Sequence, residues 1–318
     1  MLRYCDLAEA SACRDRTEGC RVAVGYFDGL HIGHQHLIRE LRDWAHSPEA
    51  RSNDRSAAIV TFDRHPLEVL QRVTPLRILS REHRFQLLER HGIDAVLELP
   101  FTAELASWSA DEFVQRVLRD ALGAQGLLMG FDGAFGRGRE GTYEALNARR
   151  ASLGLEVRRG AVERLGSERV SSTLVRRAIV EGDLPRLHEL LGRSFSLLGV
   201  VVRGDGRGRE LGIPTANLNI EGAAALPSGV YFAYAHVAER VHGALVNIGV
   251  RPTFAGSSSA GLVIEAHLLE FDDDLYDERV ELEFVKRHRG ERRFPSSEAL
   301  KAQIHADREA FLSEVPAR

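Results

Sequence analysis

Apolar positions in the first half of the chain come in short runs separated by amphipathic stretches. Arg21–Gly25, Ala57–Phe62, Ala95–Leu99, Gly126–Gly130 and Leu155–Arg158 read as strands. His34–Ala45, Glu82–His91, Ser109–Leu122 and Thr142–Leu153 carry apolar residues at helical spacing. Ser109 and Glu112 have the spacing of a capping box at the start of the third helix. Strands alternating with helices predict a parallel sheet covered by helices, a Rossmann-like α/β domain. Two further helices, Ser171–Glu181 and Leu184–Leu191, end at Gly182 and Gly192. Beyond Gly192 the pattern becomes strands with few helices between them: Ser196–Arg203, Gly229–Val237, Val241–Ile248, Gly261–Phe271 and Arg279–Arg287. Val280, Leu282 and Phe284 alternate with Glu281 and Glu283, the period of a half-buried antiparallel strand. Strands without covering helices must hide their edges, so a small β-barrel is the expected closure, with the amphipathic helix Ser297–Leu312 packed on it. The boundary between the two patterns falls near residues 183–195.

The length of 318 residues suits two domains, and 44% hydrophobic with 28% charged residues is ordinary for a globular protein. A net charge of -4, from 42 basic and 46 acidic residues without a long basic tract, argues against a nucleic-acid partner. Cys5, Cys13 and Cys20 are odd in number and lack metal-ligand spacing, so free thiols in a reducing cytoplasm are expected. No apolar run approaches membrane-spanning length, and Asp6, Glu9, Arg14 and Asp15 stand where a signal peptide needs apolar residues. Neither membrane insertion nor export is expected. Oligomeric state is not legible.

The turn after the first strand reads Gly25-Tyr26-Phe27-Asp28-Gly29-Leu30-His31-Ile32-Gly33-His34-Gln35. His31 and His34 stand three apart at a helix start, where both rings can reach one ligand. Gly29 and Gly33 permit close backbone approach, and a helix N-terminus carries roughly +0.5 of a charge. The combination suits a triphosphate attacked at its α-phosphorus, the imidazoles stabilising the departing pyrophosphate. Ser171, Ser172 and Thr173 open a later helix, with Arg176 one turn in; they can cap it or, with the histidines, form the other wall of a nucleotide site. Gly136-Arg137-Gly138-Arg139-Glu140-Gly141 matches GxGxxG only formally, and neither Lys286 nor Lys301 follows a glycine-rich loop as a Walker A motif requires.

In the second half, five glycines from Gly199 to Gly212, including Gly204, Gly206 and Gly208, make a flap whose N–H groups can wrap phosphates. The flap leads into Pro214-Thr215-Ala216-Asn217, where the Thr215 hydroxyl and the Asn217 amide oxygen are hard ligands suited to Mg²⁺. Asn247 to Phe254 ends the next strand and could close over a ligand. Glu265 interrupts an apolar strand and shares a face with Val263, His267 and Leu269. Facing outward it is merely solvated; beside a phosphate-binding flap it is placed to deprotonate an attacking hydroxyl.

These residues, together with Thr61-Phe62-Asp63-Arg64-His65-Pro66, Leu99-Pro100-Phe101-Thr102 and Leu275-Tyr276, resemble the bacterial bifunctional riboflavin kinase/FMN adenylyltransferases from about Arg21 to Phe311. The resemblance implies an N-terminal nucleotidylyltransferase domain, residues 1–185, and a six-stranded riboflavin-kinase barrel with a C-terminal helix, residues 186–318. Riboflavin, FMN and Mg-ATP would be the small-molecule partners. It implies that His31 and His34 serve adenylyl transfer, with Gly25, Phe27, Asp28, Gly33, Ser171, Thr173 and Arg176 on ATP and Phe62 and Asp132 on flavin or nucleotide. At the barrel, Gly204, Gly208, Gly212, Pro214, Thr215, Asn217 and Asn247 would hold Mg-ATP, with Thr215 and Asn217 on the metal and Glu265 as base. Departures from the family pattern are Gly133 where an aromatic is usual, Arg64 where many members have Pro, and His288 before Arg289 where Leu is common. Two other readings remain: a kinase whose adenylyltransferase half has weakened, favoured by Gly133, and a non-catalytic flavin sensor.

Overall fold

The computed structural model describes residues 1–47, 56–204, 208, 212–250 and 262–318. By packing, these form two compact units, one of residues 1–76 and 84–171 and one of residues 77–83 and 172–318.

The first unit holds strands β1 (Leu2–Tyr4), β2 (Arg21–Val24), β3 (Ala57–Phe62), β4 (Ala95–Leu99), β5 (Gly126–Met129), the two-residue strands β6 (Ala134–Phe135) and β7 (Gly141–Thr142), and β8 (Glu156–Arg159). Six of them make one parallel sheet in the order β1-β4-β3-β2-β5-β8. Every residue of β3, β4 and β5 is buried, as strands covered on both faces require. β1 was not foreseen: three residues are too few to show a period. Helix Ile32–Ala45 follows β2 and buries Leu37, Ile38, Leu41 and Trp44. The expected capping box closes on Ser109 and Glu112, after which the helix continues π-wound over Val114–Ala121. Residues 142–153 form two short helices, Tyr143–Ala148 and Arg150–Leu153, rather than one. Short strands β9 (Arg164–Leu165) and β10 (Glu168–Arg169) pair with each other.

The second unit is a closed antiparallel barrel of β11 (Ser196–Val202), β12 (Ala216–Asn219), β13 (Gly229–Val237), β14 (Arg240–Val250), β15 (Leu262–Leu268) and β16 (Arg279–Arg289), in the order β11-β12-β15-β14-β13-β16. Closure leaves no edge exposed. Tyr231, Phe284 and Phe195 are fully buried, while Phe232, Tyr234, Leu245 and Leu269 form a second cluster under Phe311 of helix Ser297–Glu314. Asp307, almost wholly buried on that helix, accepts bonds from Arg289 (2.8 and 3.1 Å) and Gln303 (2.7 Å), and His288 Nε2 stands 3.1 Å away. The departure at His288 thereby has a physical account: its ring also stacks on Phe232 at 4.3 Å. The helices Ser172–Glu181 and Leu184–Leu191 belong to this unit, as does the segment Arg77–His83. Buried His83 reaches Glu281 at 3.1 Å and Ser196 at 3.3 Å.

Candidate active sites

In the first unit the chain runs from β2 outward through β3 to β4 and then returns to place β5 on the other side of β2. Neighbouring parallel strands whose connections leave in opposite directions open a crevice beyond their C-terminal ends, the usual ligand position in such sheets. The loops that border this crevice are Gly25–His31, after β2, and Gly130–Phe135, after β5. Three positions of the first loop lie in the left-handed region: Phe27 (φ 55°), Gly29 (φ 84°) and Leu30 (φ 40°). For Phe and Leu this conformation costs of order 1–3 kcal/mol each and must be held by its surroundings.

The holding groups are in β3 and in helix Arg81–Arg90. Thr61 Oγ1 donates to the Tyr26 carbonyl at 3.2 Å. Arg84 donates to the carbonyls of Tyr26 (3.1 Å) and Phe62 (3.0 Å) and pairs with Glu98 at 2.8 Å, both side chains being 5% exposed. Sequence reasoning passed over Arg84 and Glu98. The available signal was Glu98, a carboxylate inside the apolar run Ala95–Leu99, which a doubly covered strand tolerates only when paired.

His31 is the N-cap of helix Ile32–Ala45 rather than part of it: its Nδ1 accepts from the His34 N–H at 3.2 Å. That bond leaves Nδ1 unprotonated, so the neutral ring carries its proton on Nε2, a donor. Gly33 lets the His31 ring lie close, since a Cβ there would stand 3.2 Å from His31 Nδ1. The rings of His31 and His34 stack with centroids 3.7 Å apart and 15° between planes. Burial, and then the neighbouring His31, push the His34 imidazole well below the ordinary histidine value, and its Nδ1 is buried with no partner among the described residues. Because the folded protein binds this proton more weakly than the unfolded chain, stability is full above the unfolded value of about 6.5 and declines as the pH falls below it. His34→Gln should therefore flatten the fall in urea midpoint on acidification below about pH 6.5; parallel curves for the two proteins would disprove the assignment.

Phe27 and Asp28 are almost fully buried, Phe27 lying 5.2 Å from the His34 ring. Gly25 lies under the Phe27 ring, 3.0 Å from where a Cβ would be. Phe62 is likewise packed in the core, edge-on to Phe101 at 5.1 Å. Asp132 pairs with Arg169 at 2.5 Å, a bond that lowers its carboxyl below the usual range. Gly133 closes a tight turn by donating to Gly130 O at 2.9 Å. A Cβ on Gly133 would meet that carbonyl at 3.0 Å and Gly130 N at 3.2 Å, so the missing aromatic leaves no ready-made vacancy: a side chain here points into the turn's own backbone. The GxGxxG stretch makes the tight turn that links β6 to β7, with Phe135 opposite Gly141. Ser171 closes the first unit. Thr173, exposed, and Arg176, half-buried, stand in the first turns of helix Ser172–Glu181 of the second unit.

In the barrel, Asn217 of β12 lies opposite Glu265 of β15, which lies opposite Asn247 of β14. Directly opposed residues point to the same face, so the three side chains share one rung, each half-buried. The face continues through Leu245 and His267, themselves opposed. The flap glycines meet this rung. A Cβ on Gly204 would collide with the Asn217 amide, and one on Gly208 would stand 2.9 Å from Thr215 Oγ1. Ile213 N–H donates to Gly208 O at 2.9 Å, pinning the flap base; Gly212 (φ 71°) provides the left-handed turn before Pro214. Residues 205–207, 209–211 and 251–254, read as the rest of the flap and of the closing segment, lie outside the described residues, as does Gly261 at the expected start of β15. The described residues contain no cluster of three or more His, Cys, Asp or Glu placed to hold a metal. Nor is any helix among them long and apolar enough to cross a membrane. All three cysteines are free, and burial pushes the Cys20 thiol up to about 12.

Residues 13–174 match the family model described as FAD synthetase, and residues 191–314 the model described as riboflavin kinase. The chain belongs to the bifunctional riboflavin kinase/FMN adenylyltransferase family. Curated relatives bearing that name include one from Pseudomonas fluorescens, 38% identical with 92% of each chain covered, and one from Escherichia coli, 34% identical with 91% of each covered. The solved structure of a macrolide-efflux protein from Streptococcus pneumoniae is 29% identical, with a TM-score of 0.81 and 98% of each chain covered. Both catalytic domains of the family are thus present in one chain, in the order the hydropathy pattern suggests.

Proposed function

We propose that this chain phosphorylates riboflavin to FMN at the barrel and adenylylates FMN to FAD at the parallel-sheet domain, using ATP in both steps, in the cytoplasm. The observation that carries the reading is the Asn217–Glu265–Asn247 rung, with Gly204 against the Asn217 amide and Gly208 against Thr215. A carboxylate between two amides, beside backbone suited to phosphates, is what transfer of a γ-phosphoryl group to a hydroxyl needs. Glu265 takes the proton of the riboflavin 5′-hydroxyl, the freed oxygen attacks the γ-phosphorus, and ADP leaves. The Thr215 hydroxyl and Asn217 amide oxygen fit the Mg²⁺ of Mg-ATP, a hard ion that enters with its nucleotide and needs few protein ligands. Gly204, Gly208, Gly212 and Pro214 shape the phosphate cradle, and Asn247 orients the carboxylate from the next strand.

At the switch-point crevice the FMN phosphate attacks the α-phosphorus of ATP and pyrophosphate leaves. The Nε2–H of His31 and the imidazole of His34 stabilise the charge that develops, with Gly25, Phe27, Asp28 and Gly33 shaping the turn, and with Ser171, Thr173 and Arg176 assigned to the β- and γ-phosphates. Asp132 and Phe62 border the flavin side, Phe62 through its backbone position. A division at residues 185 and 186 falls in the stretch between the two family matches, which supports placing one activity on each side.

The test supplies each step separately: riboflavin with Mg-ATP should yield FMN and ADP, and FMN with Mg-ATP should yield FAD and pyrophosphate. His31→Ala should slow only the second by about 10²–10³, the usual worth of one oriented donor to a developing anion. An unchanged rate of FAD formation would remove His31 from the mechanism. If FMN forms and FAD does not, the weakened-adenylyltransferase reading holds.

A further inference from the structure

We propose that His267 is a positioning residue of the kinase site, holding the Pro214 carbonyl so that Thr215 meets Mg-ATP in a fixed place; this rests on the reading of Thr215 and Asn217 as Mg-ATP ligands. β12 pairs with β15 at only two positions, Ala216 opposite Ala266 and Asn217 opposite Glu265. One step further, the register would set Thr215 against His267, and there the ladder stops. Pro214 has no N–H to continue it. The chain leaves the sheet at this corner to become the glycine flap, and a carbonyl at a sheet exit needs a donor from elsewhere.

His267 supplies it: its Nδ1 lies 2.9 Å from the Pro214 oxygen. A carbonyl only accepts, so Nδ1 carries the proton. The ring is half-buried, and its pKa is lowered by burial, against the Pro214 bond that raises it, with Arg308 and His305 of the C-terminal helix lowering it further. Near neutral pH the single N–H is therefore kept on the nitrogen that faces Pro214. From the flap side, Gly208 lies against Thr215 Oγ1 and the Ile213 carbonyl. Thr215 is thus set between a flap glycine and a corner fixed by His267. His267 stands two residues from Glu265 on the same face of β15.

The experiment compares wild type with His267→Leu, which loses the donor, and His267→Asn, whose amide nitrogen occupies nearly the place of the imidazole Nδ1. A net hydrogen bond of ordinary strength corresponds to about a threefold to tenfold change in equilibrium. His267→Leu is expected to raise KM for Mg-ATP in riboflavin phosphorylation by about that factor, with kcat changed by less than about twofold, and His267→Asn to restore KM to within about twofold. Adenylylation of FMN should be unchanged in both. His267→Gln keeps polarity but carries its amide one bond too far, so it should behave as the leucine variant and serves in its place if that variant does not fold. A wild-type KM for Mg-ATP in the leucine or glutamine variant, or an asparagine variant as impaired as leucine, overturns the proposal. Mg-ADP affinity by calorimetry separates this from the functional reading. A wild type that binds Mg-ADP without phosphorylating riboflavin overturns the function, while loss in His267→Leu and recovery in His267→Asn still upholds the positioning role. A wild type that does neither overturns both.

Discussion

Glu265→Gln is expected to reduce riboflavin phosphorylation by about 10²–10⁴ while FAD synthesis from supplied FMN stays near wild type. The substitution keeps the shape and the hydrogen-bonding ends of the side chain but removes its ability to accept the substrate proton. Folding should be little affected, because Glu265 is half-buried and its rung neighbours Asn217 and Asn247 can bond an amide as well as a carboxylate. The adenylyl residues His31 and His34 stand in a separately packed unit, so nothing in the first reaction's loss should propagate to the second. Paired assays on one protein preparation decide it. Loss of both activities in a folded variant would mean that the two sites had been wrongly divided, and retention of both would remove Glu265 as the base.

Arg84→Leu should destabilise the parallel-sheet domain by about 3–5 kcal/mol, the usual cost of leaving a buried charge without its partner. Glu98 is 5% exposed and would lose the guanidinium at 2.8 Å. The change has a second consequence that separates it from simple destabilisation. Arg84 also holds the carbonyls of Tyr26 and Phe62, and Tyr26 immediately precedes the left-handed Phe27. Replacing both partners, as Arg84→Leu with Glu98→Leu, should recover much of the lost stability, since apolar replacement of a whole buried pair is often neutral. FAD synthesis should stay depressed in the double variant because the strained turn keeps only the Thr61 bond to the Tyr26 carbonyl. Urea unfolding and FMN adenylylation measured side by side make the comparison. A double variant that recovers stability and activity together would show that Arg84 is only a structural ion pair.

What the sequence shows and hides follows from the physics of each element. The parallel sheet is legible because strands buried on both faces are nearly continuous apolar runs, as β3, β4 and β5 are apart from Thr61 and Glu98. The barrel is legible through alternation, clearest in β16. β12 is hidden, being four residues of mixed burial directly after the glycine flap, yet it carries Asn217 and completes the closure. The histidine turn is readable as a nucleotide site from composition and placement. Its fine structure is not: that the helix starts at Ile32, two residues before the expected His34, with His31 as its cap, depends on backbone angles that no spacing reveals. Arg84 is hidden for another reason. In a helix as polar as Arg81–Arg90 one more arginine looks solvent-facing, and only the three-dimensional approach of Glu98 and two strand-end carbonyls shows otherwise. At Gly133 the sequence shows only a residue smaller than the family pattern; that the turn closes on its own backbone is visible in three dimensions alone.

The central claim is that one chain carries both flavin reactions, in the order kinase then adenylyltransferase. It is tested most directly by incubating the purified protein with riboflavin and Mg-ATP and separating riboflavin, FMN and FAD by chromatography over time. FMN should rise first, then level or fall as FAD accumulates. FMN that accumulates without FAD, or the absence of both products from a folded protein, would contradict the account.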